Sequence, residues 1–217
     1  MKNKQVYSIW KPNGITSFDV IRKIKKCYKS IDKVGHCGTL DPFAEGILIV
    51  CTGTKVKEVD RFMNLPKTYI ANFIFGSETN TLDSTGEIIK KSTKQIKLSA
   101  MHVEETLLKF TGTYNQIPPY FCAKKINGLR MYEFARKNIF IKPKGTKVSI
   151  SKIDLINLTD NSLRLKIACG KGTYIRSLAR DIAYELNTYA YVDALIRTEI
   201  GNYNQNNSIK FDNIGEI

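Results

Sequence analysis

The sequence predicts an α+β fold with a central, mostly antiparallel sheet flanked by helices. Three observations point there. Helical and strand patterns are both plentiful along the 217 residues. Several strand patterns follow one another with no helix between them, whereas a parallel connection needs a crossover. Hydrophobic residues make up 42% of the chain, enough for one sizeable core. No internal repeat or low-complexity linker divides the sequence.

The elements follow in order. "VYSIW" (6–10) reads as a strand, and "KPNGI" (11–15) as a turn broken by Pro12 and Gly14. Thr16 or Ser17 can cap a helix whose apolar face carries Phe18, Ile21 and Ile24 or Tyr28, with Arg22, Lys23, Lys25 and Lys26 outward. Ile47–Val50 is an unbroken apolar run, as in a buried strand. Residues 55–64 read as a helix and 67–76 as an alternating strand. Residues 77–89 read as polar loop and turn, and 99–110 as a helix capped by Ser99. Residues 112–137 mix two prolines, aromatics and the cations Lys124, Lys125, Arg130, Arg136 and Lys137. "TKVSISKIDLINL" and "SLRLKIACG" form a hairpin around "TDN". Residues 170–187 read as a glycine turn and a helix with Ile175, Leu178, Ile182 and Leu186 on one face and Arg176 off it. The tail after Gly201 is Asn-rich and weakly patterned.

Charge narrows the partners. Lys+Arg is 34 against Asp+Glu 20, a net +14. Such a balance points to a polyanion, nucleic acid first; a solvated basic surface is the plainer reading. No apolar run approaches the ~18 residues of a membrane span, and the N-terminus lacks a signal-peptide pattern, so a cytoplasmic protein is expected. Cys27, Cys37, Cys51, Cys122 and Cys169 form no C-x-x-C pair, and His36 and His102 form no helical ligand pair. Neither a disulfide framework nor a metal is expected.

Two stretches carry candidate chemistry. In "GHCGTLDPFAEG", Asp41 precedes Pro42, which stiffens the chain, and Gly35 and Gly38 allow tight turns. A carboxylate beside a buried strand is costly unless paired or used. Asp-Pro is also an ordinary turn former. In "GTYIRSL", Gly172 leads into a helix start, and a guanidinium such as Arg176 can hold a carboxylate ionised. A surface arginine is the plainer alternative. Tyr174 and Tyr69 by themselves read as core or strand aromatics.

Taken together, "KPNGITSFDVIRKIKK", "KVGHCGTLDPFAEGILIV", "KTYIANFIFG", "TLDSTG", "PPYFCAKKINGLRMYEFARK", "GKGTYIRSLARDI" and "LIRTEIG" resemble the ordered motifs of the TruB family of tRNA pseudouridine synthases. The resemblance covers roughly residues 5–201. It implies the pseudouridine synthase fold with RNA-binding loops, and an isomerase that turns a uridine of tRNA, typically uridine 55 of the T-loop, into pseudouridine. It implies no cofactor and no metal. By position it makes Asp41 the nucleophile, Arg176 its partner, and Tyr69 the residue that stacks on the base and helps move the C5 proton. It gives His36 to base flipping and Tyr174 and Leu195 to the pocket lining. Asp83 is a polar residue near the pocket. Lys125 belongs to a segment, 112–145, that clasps the T-stem-loop.

The same resemblance implies a catalytic domain over 1–201, a short tail over 202–217, and a monomer. Cys37 stands where the motif often has threonine, and Glu45 adds a negative charge near the loop. About sixteen residues follow "LIRTEIG", too few for the PUA domain that bacterial members usually carry. The basic charge is expected to compensate. Two competing readings are a non-catalytic tRNA-binding or folding protein on the same fold and a synthase directed by a guide RNA.

Overall fold

The computed structural model describes residues 5–95, 97–126, 128–141 and 143–216. In chain order the elements are β1 (Val6–Lys11), α1 (Ser17–Cys27), β2 (Val34–His36), β3 (Glu45–Thr52), α2 (Val59–Met63), β4 (Lys67–Phe75), β5 (Ser77–Thr79), β6 (Ile88–Lys91), α3 (Ala100–Phe110) and β7 (Gly112–Gln116). Then come β8 (Lys125–Ile126), β9 (Leu129–Arg130), α4 (Met131–Ala135), β10 (Thr146–Leu158), β11 (Ser162–Cys169), α5 (Ile175–Glu185), β12 (Ala190–Ile200), β13 (Tyr203–Asn204) and β14 (Ile209–Lys210). The predicted class holds. Antiparallel pairs dominate, and the parallel ones given by register are β1 with β14 and β12 with β3.

The chain forms two compact units, 1–70 with 195–217, and 71–194. Strands β4 and β12 each begin in one unit and end in the other.

In the first unit the strand order is β14-β1-β3-β12, with β2 also on β3 and β13 on β12. The unbroken apolar run of β3 has a physical reason. Leu48 and Val50 join one core cluster with Tyr7, Ile9, Val20, Ile21 and Ile24. Ile47, Ile49 and Cys51 join another with Cys37, Phe62 and Ile200. A strand buried on both faces has no polar phase. Each such side chain contributes about 1.5–3 kcal/mol on burial. Thr16 caps α1 in a full capping box with Asp19. Phe18 departs from expectation. It is 60% exposed, with Val20 taking the buried position and the Arg22 guanidinium over the Phe18 ring. The helix expected at 55–64 is split into a 3-10 turn at Gly53–Glu58 and the short α2. The weakly patterned tail supplies β14, parallel to β1, and buries Ile214 in the first cluster.

In the second unit β4, β11, β10 and β7 are neighbours in that order. The expected hairpin is β10–β11, with register shifts near Ser151 and Ile156. Leu163, Leu165 and Ile167 are fully buried, alternating with exposed Arg164 and Lys166. Helix α5 buries Ile175, Leu178, Ala179, Ile182 and Ala183. The segment 77–89, expected as loop, instead gives β5 and the start of β6, which pair with each other.

Candidate active site

In the first unit the loop from Cys37 to Ala44 links β2 to β3. Cys37 N–H bonds Ile49 O at 2.8 Å, which keeps the loop's start against β3. Gly38 has φ +96, a conformation that favours glycine. The next five carbonyls all have donors. Arg197 Nη2 donates to Gly38 O and Nη1 to Thr39 O, both at 3.3 Å. Ser17 Oγ donates to Leu40 O at 3.0 Å and accepts from Leu40 N–H at 2.9 Å. Ala44 N–H donates to Asp41 O at 3.1 Å, and Gly14 N–H to Pro42 O at 2.8 Å. A loop satisfied in this way has little freedom to shift without leaving a polar group unpaired. Asp41 sits half-buried at its centre.

Two buried cations support the loop from the sheet. Lys11 is fully buried and donates to Pro12 O and Ile15 O at 2.8 Å, and to Pro42 O at 3.5 Å. Burial lowers its pKa to about 8, an effect the Asp41, Glu45 and Asp19 carboxylates oppose and Arg197 reinforces. Arg197 is 2% exposed, and its Nε donates to Ile47 O at 2.7 Å. Both cations face Gly46 in register, Lys11 from β1 and Arg197 from β12. Gly46 has φ +117, and a Cβ there would lie 2.2 Å from Arg197 O. Only glycine lets β3 and β12 meet at that point.

The first unit also holds His36, Tyr69 and Leu195. His36 ends β2, half-buried, just before the loop. Tyr69 is 8% exposed on β4, where Thr68 Oγ1 donates to Glu199 Oε2 at 2.9 Å and thereby ties β4 to β12. Leu195 is buried on β12, one residue before the Ile196–Glu45 bridge that ends the loop. Cys37 and Cys51 place their sulfurs 3.4 Å apart. The neighbouring sulfur and burial together raise the Cys37 thiol, so it stays neutral.

The second unit holds the other candidates. Gln116, 1% exposed at the end of β7, grips Tyr174 like a paired peptide group: Nε2 donates to Tyr174 O at 3.1 Å, and Oε1 accepts from Tyr174 N–H at 2.8 Å. Tyr174 is the residue before α5. Arg176, expected off the apolar face, is only 3% exposed. Burial of a guanidinium demands partners. Its Nη1 donates to Thr81 O at 2.7 Å and its Nη2 to Phe121 O at 2.9 Å, and it forms an ion pair with Asp83 at 3.5 Å. Asp83 accepts in turn from Thr81 Oγ1 at 2.8 Å and Thr85 Oγ1 at 2.6 Å. Asp83 and Arg176 thus form one buried network. Ser177 Oγ and Arg180 Nη2 both donate to Ile117 O at 2.8 Å, fastening α5 to the proline-rich segment.

Lys125 is exposed and lies opposite Arg130 in the β8–β9 hairpin. Like charges paired across strands are unfavourable alone, and an anion relieves them. Of this segment, Asn127 and Lys142 lie outside the described residues. Among the described residues no group of three metal-ligating side chains converges. No helix there is long and apolar enough to cross a membrane.

Sequence reasoning missed Lys11, Ser17's grip on Leu40, Gln116 and Arg197. The signal for Arg197 was a charge at an inward phase of β12, two residues from Leu195.

The N-terminal domain model of the TruB family pseudouridylate synthases matches residues 25–175. A tRNA pseudouridine synthase B from Clostridium kluyveri is 41% identical over 207 residues, 95% of this chain and 71% of its own length. That of Mycoplasma mobile is 42% identical over 92% of this chain and 69% of its own length. Among solved structures, a chain of a Cbf5–Nop10–Gar1 complex superposes with a TM-score of 0.74 at 23% identity, over 97% of this chain. A chain of an H/ACA RNP bound to a substrate RNA containing 2′-deoxyuridine gives 0.70 at 21%. This chain spans about half the length of those two, 53% and 52%. They share its fold.

Proposed function

The chain belongs to the TruB family of pseudouridylate synthases, and from that premise we propose that it isomerises a uridine of tRNA to pseudouridine. The observation that carries the reading is a half-buried carboxylate, Asp41, on a loop whose successive carbonyls from Gly38 to Pro42 all have donors. Catalysis on a fixed scaffold needs such preorganisation. The reaction breaks the bond from N1 to the sugar, forms one from C5, and moves a proton from C5 to N1. It is redox-neutral, so a nucleophile and a proton carrier suffice.

In this reading Asp41 is the nucleophile and Tyr69 the stacking and proton-moving group. Arg176, oriented by Asp83, supplies the guanidinium. The base leaves the stack before reaction, with His36 filling the gap and Tyr174 and Leu195 lining the pocket. Lys125 and the other cations of 112–145 bind the T-stem-loop by charge and stacking. The target is uridine 55 of the T-loop. Residues 1–201 carry catalysis, and the protein acts as a cytoplasmic monomer.

The test is a pseudouridine map of total RNA, by carbodiimide labelling and primer extension, in cells with and without the protein. One T-loop pseudouridine should vanish and return with wild type but not with Asp41→Ala. Restoration by Asp41→Ala, or a map unchanged by deletion, would overturn the reading.

A further inference from the structure

Two carbonyls of the Asp41 loop rest on one side chain. Gly38 O and Thr39 O, three and two residues before Asp41, both accept from the Arg197 guanidinium. Its third nitrogen donates to Ile47 O of β3, on the far side of the loop. Arg197 therefore ties together the start of the loop and the strand that follows it. Its base is equally constrained, because Gly46 brings the β3 backbone directly against the Arg197 main chain.

We propose that Arg197 is a positioning residue for the reaction, setting the path of the main chain into Asp41 and hence the point from which the carboxylate acts. The inference rests on Asp41 being the reacting group. Its physical basis is the choice of residue. Arg197 is buried, and the partners its guanidinium finds are carbonyls. Lys11 lies near enough to feel its positive charge. Burying a cation beside another is costly, and an apolar side chain would fill the same volume more stably. What an apolar residue lacks is a rigid fork that reaches three carbonyls in two directions. Lysine lacks it too, offering one flexible point charge. An error of about 1 Å in a reacting group can cost about 100-fold in rate. A fork that fixes the chain two residues upstream prevents such an error.

The experiment compares Arg197→Lys, Arg197→Met and Asp41→Ala in the full chain. It measures turnover at saturating tRNA transcript, tRNA Kd, and the folded fraction by circular dichroism. Arg197→Met should lower kcat by about 100-fold, with Kd within about threefold of wild type. Arg197→Lys should recover part of that loss, to within about tenfold of wild type. If Arg197→Met does not fold, the kcat and Kd of Arg197→Lys decide alone. Wild-type kcat in the folded variants would overturn the proposal. So would a loss that matches the fall in folded fraction, or one carried by Kd. Wild-type turnover by Asp41→Ala would remove the underlying reading. An inactive Asp41→Ala beside fully active Arg197 variants would remove only the positioning role.

Discussion

The loop at 38–42 and the basic segment at 117–141 are both irregular in sequence, yet they are built oppositely. Each carbonyl of the loop is held, and the side chains holding it are buried. The basic segment leaves Tyr120, Leu129, Ile139 and Phe140 exposed together with Lys125, Arg130, Arg136 and Lys137. It is organised locally by two-residue strands and a five-residue helix. Each construction matches the task proposed for it. A reacting carboxylate needs a fixed position. Capture of a charged polymer tolerates, and gains from, an adaptable surface of charge and ring faces.

The harshest way to break the comparison is Gly46→Ala. The new Cβ would collide with Arg197 O at a φ of +117, and a destabilisation of about 3 kcal/mol or more is expected in urea unfolding. Ser17→Ala is next. It strips both the donor and the acceptor from Leu40 in a buried site, for a loss of about 2 kcal/mol and a drop in turnover exceeding any change in tRNA affinity. Replacing Lys125, Arg130, Arg136 and Lys137 together by Gln should do the reverse. Stability should stay within about 0.5 kcal/mol, while tRNA binding weakens and its log–log salt slope shrinks by on the order of 0.7–0.9 for every phosphate left unneutralised. A melting point that fell sharply, with binding intact, would erase the contrast between the two regions.

The gentlest probe is pH. The folded pKa of Lys11, about 8, lies below its ordinary 10.5. Between those values the unfolded chain holds a proton that the folded chain has released, so stability should rise with pH across that window. Urea unfolding at pH 7.5, 9 and 10.5 should show that rise in wild type and a smaller one in Lys11→Met. Equal slopes would mean that Lys11 is not the group responsible.

The burial of β3, a helix capped at Thr16 or Ser17, the β10–β11 hairpin and the buried positions Ile175, Leu178 and Ile182 of α5 all follow from periodicity and local chemistry, which short windows record. The ordered motifs also carried the family. Phe18 and the 55–64 helix were misread because neighbours far along the chain decide which of two similar faces is buried and whether a helix continues. The same reason hid Arg197, Gln116 and the Asp83–Arg176 pair. Their partners lie 158, 58 and 93 positions away in sequence, at Thr39, Tyr174 and between residues 83 and 176. A buried polar side chain is explained by the groups it satisfies, and which groups those are is settled only when distant strands and loops are brought together.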